Sequence, residues 1–115
     1  MTPKTVKVFV TKEGRKPFIE WLQALRDQRA KQRIQVRIDR LSLGALGHTR
    51  SVGEGVGELK IDYGPGYRVY FGLDGNAIVV LLCGGDKDSQ YDDIKKAKTY
   101  WKEFKEERTN AQREL

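Results

Sequence analysis

Residues 57–87, GELKIDYGPGYRVYFGLDGNAIVVLLCGGDK, constrain this chain more than any other part of it. Alternating apolar and polar residues, a Gly-Pro-Gly turn, a second alternating run, an Asp-Gly turn and a continuous apolar run read as three antiparallel strands in a meander. The expected strands span about 57–63, 67–73 and 77–83. Leu59 and Ile61 share one face of the first, with Glu58, Lys60 and Asp62 on the other. In the second, Val69 and Phe71 oppose Arg68, Tyr70 and Gly72. Lys60 and Arg68 therefore share a polar face and meet across the hairpin if the turn sets that register. The third strand is apolar on both faces, as a central strand is, and it runs into a loop carrying Lys87. Cations mounted on rigid strands suit an anionic ligand.

The whole chain is short and basic. Its 115 residues suit one domain, expected over 1–105, and 38% hydrophobic with 10% aromatic residues argues against global disorder. Lys and Arg outnumber Asp and Glu by 22 to 16, a net charge of +6. That balance favours a polyanionic partner, nucleic acid first, because neutralising phosphates releases counterions; solubility alone is the plainer alternative. No stretch approaches the ~20 apolar residues of a membrane span and no signal peptide is evident, so a cytoplasmic protein without a membrane partner is expected. With one cysteine, Cys83, and one histidine, His48, no internal disulfide can form and the several N or S ligands of a tetrahedral zinc site are lacking, so no metal or cofactor is expected. Cys83 ends the most apolar run and reads as a buried, inert thiol.

The flanks supply helices. Near the N-terminus, residues 5–10 read as a strand with Val6, Val8 and Val10 alternating against Lys7 and Phe9. Pro17 can open a helix in which Phe18, Leu22 and Leu25 recur at helical spacing beside Trp21. A second helix, about 27–43, sets Ile34, Ile38 and Leu41 on one face and Arg33, Arg37 and Arg40 in a parallel stripe, extended backward by Arg29 and Arg26. The pair suggests an αα-hairpin. Residues 44–57 read as a loop. Their glycines lack the strand-before, helix-after setting of a phosphate cradle, while His48 and Arg50 are placed either to touch RNA or simply to be solvated. Ser89 with Asp92 reads as a helix start, followed by an apolar stripe of Ile94, Ala97, Trp101 and Phe104. The lysines on its remaining surface are ordinarily a solvated face, and 106–115, lacking an apolar period, reads as a fraying tail. The fold class expected is α+β, in the order β-α-α-β-β-β-α, an antiparallel sheet packed by helices.

Several segments together resemble the RelE/HigB group of type II toxin–antitoxin toxins, in particular its short HigB-like "addiction module killer" branch, within the RelE/ParE superfamily. They are Trp21-Leu22 with the arginine-rich helix after it, VGEGVGELKI at 52–61, GPGYRVYF at 64–71, LLCGGDK at 81–87 and DIKKAK at 93–98. Together they lie within 18–101, most of the chain, and the periodicities above independently yield the group's element order.

The resemblance implies a metal-independent endoribonuclease that cleaves mRNA on the ribosome, inhibits translation and is neutralised by a cognate antitoxin, in this branch a HigA-like helix-turn-helix protein. In such chemistry a ribose 2′-OH attacks the adjacent phosphodiester, which requires a base, stabilisation of the phosphorane and an acid for the leaving 5′-oxygen. By resemblance Arg68 serves the scissile phosphate and Lys60 acts as base or charge stabiliser. Lys87 occupies the basic loop before the last helix, and Tyr91 matches the tyrosine at that helix start. Where RelE itself has a second strand lysine this chain has Asp62, a candidate general base. Arg33, Arg37, Arg40, His48 and Arg50 are the candidate RNA-binding residues. The alternative within the superfamily is a ParE-like toxin that binds DNA gyrase without catalysis; Lys60, Arg68 and Lys87 converging in one concave patch would favour the enzyme, and scattered cations the binder. An inactive phage-derived remnant is a third reading.

Overall fold

The computed structural model describes residues 3–45 and 47–113. The elements run β1 (Thr5–Val8), α1 (Pro17–Ala24), α2 (Gln28–Ser42), β2 (Thr49–Gly53), β3 (Val56–Ile61), β4 (Tyr67–Asp74), β5 (Ile78–Gly85) and α3 (Gln90–Arg113). The strands form one sheet in the order β1-β5-β4-β3-β2. From β2 to β5 each neighbouring pair is antiparallel, whereas β1 joins the edge of β5 in parallel. The α+β class expected from the periodicities is present, but the sheet is mixed rather than antiparallel throughout.

Both faces of the sheet are covered, which is why β4 and β5 carry apolar residues without alternation. On one face Phe18 of α1 and Ala30, Ile34, Ile38 and Leu41 of α2 pack on Leu59, Ile61, Val69, Phe71, Val79 and Leu81. On the other, Ala97 and Trp101 of α3 pack on Phe9, Val56, Tyr70, Val80, Leu82 and Cys83. Burial pushes the Cys83 thiol up to about 12, so this cysteine is inert at neutral pH. Two glycines let the helices come close. A β-carbon on Gly72 would lie 2.4 Å from Trp101 Cε3, and one on Gly84 would lie 2.2 Å from Trp21 Cε3. The α2 start is fixed by Asp27, whose Oδ1 accepts from the backbone N–H groups of Arg29 (2.9 Å) and Ala30 (3.2 Å), a cap worth about 1 kcal/mol.

Several expectations need correction. Residues 49–53, read as loop, form the edge strand β2, and the following Gly53-Glu54-Gly55, all at positive φ, turn it back into β3. An edge strand has one partner and little to bury, so Thr49–Gly53 carries almost no apolar signal. At β1 the strand ends at Val8. Phe9 is buried on the α3 side, while Val10, expected to continue the inward row, is 41% exposed. The Asp74-Gly75 turn is a three-residue loop, since Asp74 pairs with Ile78. The helix start at Ser89 is present, with Asp92 in its first turn, but the Ser89 hydroxyl donates to Asp93 Oδ2 (2.5 Å) and accepts from the Asp86 N–H (3.3 Å) instead of taking a free N–H of the helix. Finally, α3 does not stop near Phe104: of residues 106–115, read as a fraying tail, 106–113 are helical and 114–115 lie outside the described residues. Among the described residues no helix is long and apolar enough to cross a membrane.

Candidate functional site

Lys60 of β3 is the register partner of Arg68 on β4, and Arg68 is in turn opposite Gly85 on β5. Three adjacent strands thus place Lys60, Arg68 and the start of the Lys87 loop in one row. Lys87 closes on the same place, for a β-carbon on Gly66 would lie 3.3 Å from Arg68 Nη1 and 3.9 Å from Lys87 Cβ.

The two strand cations sit differently. Lys60 is half-exposed, its Nζ 3.4 Å from Asp62 Oδ1. Arg68, which the strand pattern would leave exposed on a polar face, is only 7% exposed, because α3 covers that face. Its Nη1 donates to the Gly66 carbonyl at 2.7 Å. Its Nε lies 3.8 Å from Glu58 Oε2 and has no hydrogen-bond partner among the described residues.

Glu58, one of the charged residues on the Lys60 face of the strand pattern, is the organising residue. Only 3% exposed, it receives Arg50 Nε on Oε1 (2.8 Å) and both Tyr70 Oη (3.0 Å) and Gln90 Nε2 (2.9 Å) on Oε2. One carboxylate thereby ties β2, β3, β4 and the first turn of α3. Burial pushes its proton affinity up, but the bonds from Arg50, Gln90 and Tyr70 outweigh burial and hold the carboxyl below the usual glutamate range. The only advance signal was position: Glu58 lies two residues before Lys60, on the same face of an alternating strand.

The remaining candidates separate into those near the row and those apart from it. Tyr91 is 72% exposed on the first turn of α3, with Lys95 Nζ 4.3 Å from its ring centroid, and no hydrogen bond joins it to Lys60, Arg68 or Lys87. Arg50, a loop residue by sequence, is a strand residue committed to Glu58. His48 is exposed, and its carbonyl accepts from the Lys60 N–H at 3.1 Å. Asp62, besides pairing with Lys60, borders a cleft of about 610 Å³ lined by Arg29, Arg33, Arg37 and Arg40 of α2. Arg33 stacks on Tyr63 at 4.7 Å, and Arg37 Nη1 donates to the Lys60 carbonyl at 2.8 Å. Among the described residues none of these four arginines has a carboxylate within ion-pair distance. The arginine cleft and the Lys60–Arg68 row therefore adjoin through Lys60 and Asp62.

Residues 20–111 match the family described as Phage derived protein Gp49-like (DUF891). An uncharacterized protein of Haemophilus influenzae is 51% identical over 81 residues, which cover 70% of this chain and 82% of that relative.

Proposed function

The chain belongs to the phage-derived Gp49-like family, and on that premise we propose that it is the toxin of a type II toxin–antitoxin module, an endoribonuclease of RelE/HigB type. Gp49-like proteins are associated with toxins of toxin–antitoxin systems, which supports the toxin reading without choosing its target. The observation that carries the enzymatic reading is that Lys60 and Arg68 are cross-strand partners, with the Lys87 β-carbon beside Gly66 where the third strand leaves the sheet. A toxin that acts only by binding gyrase has no need of such a cluster.

The reaction this arrangement suits is internal transesterification of RNA. The 2′-oxygen gives up its proton and bonds to phosphorus. The bond from phosphorus to the 5′-oxygen breaks, and that oxygen takes a proton, leaving a 2′,3′-cyclic phosphate and a free 5′-hydroxyl. Arg68, always charged, is fitted to stabilise the phosphorane oxygens. Lys60 serves as base or second cation, with Asp62 beside it as the alternative general base. Lys87 or Tyr91 is the donor for the leaving oxygen. The arginine cleft receives the RNA backbone beyond the scissile bond, with the ribosome supplying the mRNA, and a HigA-like antitoxin silences the protein in the resting cell.

The test is primer extension on mRNA from cells induced to express the chain alone. New 5′ ends within translated regions, appearing as growth stops, are expected. Growth arrest with intact mRNA and relaxed or broken DNA would replace the ribonuclease with the gyrase-directed reading.

A further inference from the structure

Arg68 Nε is a buried donor without an acceptor among the described residues, although a carboxylate oxygen stands 3.8 Å away. Such an orphan is costly, and the obvious relief, a charge-assisted bond from Arg68 to Glu58, is blocked by two other donors. Tyr70 Oη at 3.0 Å and Gln90 Nε2 at 2.9 Å both bond to Glu58 Oε2 and fill its two lone-pair directions, while Arg50 holds Oε1. Tyr70 is fully buried in β4 and Gln90 comes from the first turn of α3, so the oxygen is closed from within the sheet and from above it.

We propose that Gln90 and Tyr70 are positioning residues that keep Arg68 available to an anion by occupying the Glu58 oxygen that faces it. Without them the 3.8 Å ion pair would tighten into a hydrogen-bonded guanidinium–carboxylate pair, draw Arg68 back and cancel more of its charge. With them, the negative charge of Glu58 is satisfied chiefly by Arg50 on the edge strand. The ligand class is a phosphodiester, and this inference rests on the reading of Arg68 as the phosphate-binding group. Neither Gln90 nor Tyr70 needs to touch RNA for this role.

The experiment records the Arg68 Nε–H resonance by ¹⁵N NMR in the free protein, together with the affinity for an uncleavable RNA strand carrying a 2′-deoxy substitution. In Gln90→Met the side chain keeps its length but loses its donors. The Nε–H signal is expected to move downfield and exchange more slowly as it engages Glu58, and affinity to fall about tenfold, the scale of one hydrogen bond to a charged group. Tyr70→Phe, which opens the same oxygen from the sheet side, is expected to act in the same direction. The double variant Gln90→Met/Glu58→Gln recovers most of the affinity, because a neutral amide competes weakly for the guanidinium. An unchanged resonance and affinity in both single variants overturns the proposal, as does a double variant that binds more weakly than Gln90→Met alone. The resonance is read without RNA, so a wild-type protein that fails to cleave mRNA would remove the ribonuclease reading and still leave this arrangement open to decision.

Discussion

Lys60 and Arg68 are direct cross-strand partners, yet one is half-exposed beside Asp62 and the other is buried beside Glu58. The pair is asymmetric by construction, because β3 approaches the margin of the cover provided by α3 whereas β4 runs beneath it. An exposed cation can meet RNA early and exchange protons with water. A buried one is fixed in place and acts through a preorganised field.

Removing Arg68 should therefore affect chemistry far more than removing Lys60 affects folding. Arg68→Ala is expected to lower RNA cleavage by ~10²-fold or more and to relieve growth arrest while the protein remains folded by circular dichroism. Lys60→Ala should lower cleavage and shift stability by no more than roughly 0.5–1 kcal/mol, since its ion pair with Asp62 is exposed. A folded Arg68→Ala protein of undiminished toxicity would remove Arg68 from the site.

The arginine cleft has its own signature. Arg33 and Arg40 face it without a carboxylate partner among the described residues, whereas Arg37 is also committed to the Lys60 carbonyl. Replacing Arg33 and Arg40 by Gln should weaken association with ribosomes or RNA and flatten its dependence on salt, by up to roughly one unit of slope per lost phosphate contact. Arg37→Gln should in addition disturb catalysis, because it loosens the backbone at Lys60. Binding titrations at several salt concentrations separate the two effects, and an unaltered slope would make the stripe mere solvated surface.

Glu58 predicts a pH dependence of stability. Its folded carboxyl titrates below the unfolded one, since the bonds from Arg50, Gln90 and Tyr70 outweigh burial. The stabilisation it contributes is thus fully present above the ordinary glutamate range and lost as pH falls through the folded value. The melting-temperature gap between wild type and Glu58→Gln should be widest near neutrality and shrink on acidification. Asp93 works in the opposite sense: burial raises its folded proton affinity despite the bond from Ser89, so its ionisation costs stability as pH rises through the shifted range. Asp93→Asn should accordingly be tolerated best near pH 7. A gap for Glu58→Gln that grows on acidification would contradict the carboxylate network.

Much of this architecture was legible because local patterns and tertiary demands agree. Leu59, Ile61, Val69 and Phe71 alternate onto the α1 and α2 face, and the Lys60–Arg68 register follows from the meander. What stayed hidden depends on long-range placement. Thr49–Gly53 becomes a strand only because β3 offers it an edge. Glu58 reads as one acid among sixteen until Gln90, 32 residues later, is folded over it. Arg68 reads as exposed for the same reason, since nothing local announces that α3 covers its face. The cation row could be anticipated from the strands, while the polar network beneath it could not.

Gly72 couples the sheet to α3 through Trp101. A β-carbon there would sit 2.4 Å from the indole, and both residues belong to the packed interior. Gly72→Ala is expected to destabilise the protein by about 1–3 kcal/mol through overpacking, with a change in tryptophan fluorescence as Trp101 shifts. A denaturant midpoint and emission spectrum matching the wild type would mean that α3 adjusts freely over the sheet.

A toxin has to be silenced, and the surface suggests how. Lys60 is half-exposed on the sheet, Lys87 lies beside Arg68, and α3 adds exposed lysines at positions 95, 102 and 105. An acidic segment of the antitoxin, disordered until it binds, would meet complementary charge along this side and could cover the row while ordering on it. The product of a neighbouring gene should therefore copurify with this chain, associate faster at low than at high salt, and abolish RNA cleavage in the complex. Replacing Lys60 and Lys87 by Gln should slow association more than it speeds dissociation if the charges mainly steer encounter. Stopped-flow mixing of the purified partners across a salt series measures both rates. An antitoxin that binds with no salt dependence, or whose complex still cleaves RNA, would place its interface away from the Lys60–Arg68 row.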